Sequence, residues 1–241
     1  MLAVNRGGGG LMDTNAAWLD YWDGDVSLYV SKRHLDAHYQ GLFAAIAPLL
    51  PPAPFTLLDF GCGEALMAPA LAAKGGRVIL FDEAAARRNV LRNRFAGIAG
   101  IEVPDETETL AGTCDMVLMI SVIQYVPKDQ LPHLLARIRR LLKPGGRLVL
   151  GDILAPDNSI ADDALALLGF GLKEGFLVDA VIGLFKTLRS DYRQARQRLG
   201  LSTWAMDEIL AVLTAAGFEA APLGWNIGHA RHRRSVTATV A

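Results

Sequence analysis

Short unbroken apolar runs alternate along this chain with longer segments whose apolar positions recur at helical spacing. "FTLLDF" reads as a strand buried on both faces, and it runs straight into Gly61. "EALMAPALAAKGG" follows as a helix stopped by Gly75 and Gly76. "RVILFD" is a second strand, "EAAARRNVLRNRFAG" a second helix and "IEVP" a short third strand. "DMVLMISVIQYV" is a fourth strand, apolar throughout as a central parallel strand should be. "PKDQLPHLLARIRRLL" is the next helix, "KPGG" turns the chain, and "RLVLGDIL" is a fifth strand. Before this series, residues 16–50 are helical in pattern and rich in aromatics, and the prolines of "PPAPF" end them. After it, residues 160–188 are apolar at helical spacing, and "AMDEILAVLTAAGF" is a helix ending in glycine. "EAAPLGWNIG" and "SVTATVA" read as two final strands joined by "HARHRR". Strand–helix alternation with short connections predicts an α/β fold: a doubly wound, mostly parallel sheet of seven strands.

Composition narrows the class. A chain of 241 residues suits one generous domain, and 51% hydrophobic with 20% charged residues excludes wholesale disorder. A formal net charge of -1 argues against a general nucleic-acid binder. The two cysteines, Cys62 and Cys114, make neither a disulfide framework nor a zinc cluster, and a reducing cytoplasm is the expected setting. Residues 1–15 lack a signal peptide's apolar core and read as a flexible leader. The nearest approach to a membrane span, residues 164–185, is interrupted by Lys173, Glu174 and Asp179.

In a doubly wound sheet, ligands bind beyond the carboxyl ends of the strands. Gly61 and Gly63, Asp82, Ser121 to Tyr125 and Asp152 all follow predicted strands. The turn in "DFGCGEAL" suits a nucleotide-like ligand, because glycine lets the backbone approach closely. A phosphate-binding P-loop is excluded, since no lysine follows. A dinucleotide site is disfavoured: Leu66 stands where a third small residue is needed, and Asp59 and Glu64 would face a pyrophosphate. S-adenosylmethionine (SAM) has no phosphate but carries an ammonium, a sulfonium and a ribose diol. Asp59 suits the ammonium and Asp82 the two ribose hydroxyls.

These stretches resemble the class I SAM-dependent methyltransferases. "LLDFGCG" is similar to the family's first motif, "LFDEA" to the acidic end of its second strand, "CDMVLMISVIQYV" to its fourth-strand motif and "LLKPGGRLVLGD" to the helix–turn–strand that follows. The resemblance implies that Gly61, Cys62 and Gly63 flank the methionine moiety while Asp59 orients its ammonium. It implies ribose binding by Asp82 with Glu83 close by, and a site lined by Ser121, Val122 and Gln124. Residues 105–107 are the candidates to frame the adenine. It further implies that the last two strands form an antiparallel hairpin. The expected organisation is one domain over 16–241: an N-terminal helical lid at 16–50, a SAM-binding core at 55–154, a helical cap and substrate region at 160–203, and a final helix and strands at 204–241.

Methyl transfer from an activated sulfonium needs alignment first, and a base only if the acceptor must lose a proton. His229, Tyr192 and Gln124 are the candidate catalytic residues, and Tyr125, Asp152 and Asn226 the candidate acceptor contacts. His34 and His38, four residues apart, read as a polar helix face, and no metal is expected. "RHRR", residues 231–234, reads as a solvated hairpin turn. The apolar 160–188 segment suits a greasy acceptor, a dimer face or peripheral membrane contact, and monomer and homodimer both stay open. The expected activity is methylation of a small apolar or aromatic molecule, with the O, N or C acceptor atom undecided. An RNA or protein methyltransferase and a non-catalytic SAM-binding partner are the alternatives.

Overall fold

A computed structural model describes residues 29–187 and 200–240. Seven strands form one sheet in the order β3-β2-β1-β4-β5-β7-β6. They are β1 (Phe55–Phe60), β2 (Gly76–Phe81), β3 (Ile101–Glu102), β4 (Cys114–Ile120), β5 (Leu142–Ile153), β6 (Phe218–Pro222) and β7 (Arg234–Val240). The first five pair in parallel, whereas β7 runs antiparallel to both β5 and β6. The expected sheet and its closing hairpin are therefore both present. The helices are α1 (Lys32–Ile46), α2 (Ala68–Ala72), α3 (Ala85–Arg94), α4 (Leu131–Leu141), α5 (Ile160–Glu174), α6 (Leu177–Thr187) and α7 (Met206–Ala215).

The sheet is covered on both faces, which explains the uninterrupted apolar strands. Alternate residues of β1 serve opposite layers: Leu58 and Phe60 join one core, and Leu57 the other. The first core packs against α4, whose Leu131, Leu134, Leu135, Ile138 and Leu141 recur at helical spacing, and against Ile209 and Leu213 of α7. The second packs against Tyr39, Leu42 and Ile46 of α1. By the same alternation, Asp59 falls on the α1 side. Chain order reverses between β1 and β4, so a cleft opens at their carboxyl ends.

Several boundaries differ from the sequence reading. The first crossover helix covers only Ala68–Ala72, because Ala65 sits in the left-handed region at φ 51° and cannot continue a helix backwards. The fourth strand stops at Ile120, since Ser121 turns out at φ 57°. Residues 225–228 belong to no strand, and Ile227 N–H is held instead by the Ser235 hydroxyl at 2.8 Å. Within the expected 160–188 segment, residues 160–187 form two helices, broken by Gly175 in a left-handed cap at φ 78°.

Candidate active site

The glycine turn after β1 is built by its backbone. Gly61 and Gly63 have φ of 73° and 57°, which a side chain would strain. A Cβ on Gly61 would also stand 2.6 Å from Val122 Cγ2. Gly61 N–H donates to Phe81 O of the neighbouring strand at 2.7 Å. Past the glycines, the Tyr39 hydroxyl of α1 accepts Glu64 N–H at 2.9 Å and Ala65 N–H at 3.2 Å. Glu64 itself is clamped by Arg87 and Arg94 of α3. Two helices therefore fix the turn from either side.

Two carboxyls face this turn. Asp59 is 3% exposed, and no hydrogen bond reaches its carboxylate from the described residues. Burial first, and then the neighbouring charge of Asp82, pushes its pKa up to about 7. Asp82 accepts Ala84 N–H at 3.0 Å and Gly63 N–H at 3.4 Å, yet burial still raises its pKa. A buried carboxylate without a counter-ion is costly unless a ligand supplies one. The ammonium of SAM is such a counter-ion, so the residues fit this cofactor. Cys62, between the glycines, is held as a neutral thiol by burial and the charge of Asp59. Glu83 points elsewhere: Arg137 binds it at 2.8 Å, and the same guanidinium donates to Thr107 at 2.7 Å.

Across the cleft, Asp152 is the hub of a polar network. Its carboxylate takes Ser121 Oγ at 2.7 Å, Arg233 Nη1 at 2.6 Å and Asn226 Nδ2 at 3.1 Å. Burial alone would raise its pKa, but Arg233, Ser121 and Asn226 together hold it below the ordinary value. Ser121 and Asp152 are both non-glycine residues at positive φ, and their mutual bond helps hold those backbones. The "RHRR" turn is corrected here. Arg233 joins Asp152 and Asp163, and His232 lies 3.1 Å from Asp163, so the turn is not simply solvated. Gln124 is 6% exposed and its Oε1 has no hydrogen-bond partner among the described residues, while Tyr125 is half-buried beside it.

His34 and His38 correct the sequence reading most. His34 is buried, not on a polar face. Its ring stacks on Phe176 at 4.9 Å, and its centroid lies 6.4 Å from His38 and 6.0 Å from His229. His38 and His229 are 6.1 Å apart, and His229 stacks on Phe170 at 5.0 Å. Tyr29 lies 5.4 Å from His38 and 6.2 Å from Tyr39, so the rings form one continuous cluster that reaches the glycine turn through Tyr39. Burial leads in lowering His34 and His38 to about 4, and it lowers His229 as well. No group of His, Cys, Asp and Glu among the described residues converges as a metal site. The His34–His38 spacing was the available signal. What it lacked was the fold-back of α5 and α6, which puts rings beside them. Tyr192 lies outside the described residues.

Residues 31–221 match the family model of the methyltransferase domain, and the chain belongs to that family, as a class I SAM-dependent methyltransferase with SAM as its cofactor. Among curated relatives, a ubiquinone biosynthesis O-methyltransferase of Pseudomonas paraeruginosa is 25% identical over 70% of this chain and 69% of its own length. A carboxy-S-adenosyl-L-methionine synthase of Colwellia psychrerythraea is 31% identical over 43% of this chain and 40% of its own. Among solved structures, magnesium protoporphyrin IX methyltransferase of Synechocystis PCC 6803 with bound S-adenosylhomocysteine superposes with a TM-score of 0.57, at 19% identity over 94% of this chain and 95% of that one. That likeness is one of fold.

Proposed function

We propose that this enzyme methylates a small apolar or aromatic molecule bound against the aromatic cluster that joins α1 to the α5–α6 pair. The observation that carries the reading is the aromatic cluster itself: rings from α1, from the α5–α6 pair and from the β6–β7 connection pack together up to Tyr39, whose hydroxyl holds the glycine turn. A net charge of -1 and the engagement of Arg233 by two carboxylates support a small acceptor over RNA. The two curated relatives carry out different SAM chemistries by name, so the acceptor has to be read from this chain's own residues.

In this reading Asp59 receives the ammonium of the cofactor, Asp82 the ribose hydroxyls, and Gly61 and Gly63 let the backbone lie against it. Gln124 offers at the cleft an Oε1 that no described residue binds, and Ser121 and Val122 wall it. The cofactor supplies an activated methyl group. The chain aligns the acceptor, keeps water out with aromatic walls, and offers His229 as a proton acceptor. Asp152 and Asn226 act through Ser121 and the 226–233 connection, since their polar atoms are engaged within the protein. Purified protein incubated with methyl-labelled SAM and a cell extract is the test. Label in the organic-extractable small-molecule fraction is expected, whereas label in RNA or protein alone contradicts the reading.

A further inference from the structure

We propose that this protein forms a two-fold dimer in solution, with the outer faces of α5 and α6 packed against the same faces of a second copy. The inference holds whatever the acceptor. Of the eleven large hydrophobic side chains exposed among the described residues, eight lie on these two helices, so the apolar surface is concentrated there. Leu165, Leu172, Val178 and Phe185 are each between 68% and 72% exposed. The inner faces of the same helices are occupied. Phe170 stacks on His229, Phe176 stacks on His34, and Val30 fills the space where Gly183 has no side chain. The two helices also approach each other closely, since a Cβ on Gly171 would stand 3.1 Å from Ala180 Cβ. Their apolar stripes therefore share the solvent side, opposite α1.

The spacing on α6 selects a second copy as the occupant. Val178, Val181, Ile182 and Phe185 fall on one face, placed symmetrically about the midpoint between Val181 and Ile182. An antiparallel copy presents the same series in return, as a two-fold interface requires. The charges agree. Asp179 stands in the first turn of α6 and Lys186 in its last. They are two turns apart, so both flank the apolar face on one side. Antiparallel pairing brings Lys186 within a turn of Asp179 of the partner subunit. On α5, Leu165 and Leu172 lie two turns apart and extend the face. At ~150 Å² for a whole large side chain, the two stripes leave on the order of 600 Å² bare. That is the upper end of what a monomer's largest patch spans, and near the ~800 Å² per partner of a standard interface. Lys173 and Lys186 are offset by Asp162, Asp179 and Glu174, so the described rim lacks the basic excess that draws a helix pair to an anionic membrane. Pairing also braces the helices whose inner rings reach His34 and His229.

Sedimentation velocity of the full chain across micromolar concentrations is the test. Wild type should run at twice the chain mass. Phe185→Glu should raise the dimer dissociation constant about 30-fold or more, the effect of losing a central apolar anchor. Lys186→Glu should raise it roughly tenfold by setting carboxylates together, and Asp179→Lys with Lys186→Glu in one chain should restore it. Each variant should keep the wild-type circular-dichroism spectrum, which shows that it folds. Ile182→Cys stands beside the two-fold axis and should form an inter-chain disulfide with oxidised glutathione. Val90→Cys, on α3, should not, and the native Cys62 and Cys114 are buried. A monomeric wild type, a dimer indifferent to Phe185→Glu, a charge reversal that restores nothing, or no Ile182→Cys cross-link would each overturn the proposal. So would species that grow beyond the dimer. A monomer that pellets with anionic phospholipid vesicles through Phe185 would assign the face to a membrane instead. A monomer that dimerises only when residues 1–28 are deleted would assign it to that segment.

Discussion

The proposed cofactor site turns on one side chain, Asp59. It is buried, no described cation pairs with it, and burial with the charge of Asp82 pushes its pKa up to about 7. Binding an ammonium must lower that pKa, so cofactor binding should release a proton near neutral pH, and affinity should fall as pH drops below about 7. Calorimetry in buffers of different ionisation enthalpy measures that proton directly. Asp59→Asn should weaken SAM binding by about 10- to 100-fold, the value of a charge-assisted hydrogen bond. The same substitution should raise the thermal midpoint of the ligand-free protein above pH 7, where it removes an uncompensated charge. The placement of Asp59, Gly61 and Asp82 at the ends of β1 and β2 was legible in the sequence because a glycine turn between two strand ends is a local pattern. His34 and His38 were misread because their neighbours, Phe170, Phe176 and His229, lie far off in sequence.

At the scale of elements, α1 connects the two halves of the site. Tyr39 holds the glycine turn, while His34 and His38 on the same helix belong to the aromatic cluster. Tyr39→Phe would leave the N–H groups of Glu64 and Ala65 without their acceptor. A cost of about 1–3 kcal/mol in chemical denaturation is expected, together with weaker SAM binding, because the turn itself loosens. Strand β1 matched its sequence reading residue for residue, since a run buried on both faces has sharp ends at proline and glycine. The elements on either side of the cleft did not. Helix α2 begins late and β4 ends early because Ala65 and Ser121 adopt left-handed backbones, a choice that tertiary bonds enforce and propensity opposes.

Across the whole molecule, buried titratable groups pull stability in opposite directions. His34 and His38 have folded pKa values near 4 against 6.5 unfolded, so the unfolded chain binds more protons between those values. Stability should therefore fall as pH drops from 6.5 towards 4. Asp59 acts the other way: its folded value is raised from 3.8 to about 7, so it lowers stability as pH rises through that window. Replacing His34 and His38 together by Asn should flatten the acid side of a thermal-midpoint profile and leave the Asp59 side in place. Arg137 ties the far core to the cleft, binding Glu83 and Thr107 with its guanidinium 5.5 Å from the Phe60 and Phe81 rings. Arg137→Ala should cost about 3 kcal/mol, because Glu83 loses its counter-ion.

The paired carboxyls at the glycine turn are tested most directly by calorimetric titration of SAM and NAD into wild type and Asp82→Ala. The cradle assigned here requires wild type to bind SAM and not NAD, with binding weakened at least tenfold in Asp82→Ala, the loss of a hydrogen bond to a charged group. Tight NAD binding, or SAM binding indifferent to Asp82, would contradict it.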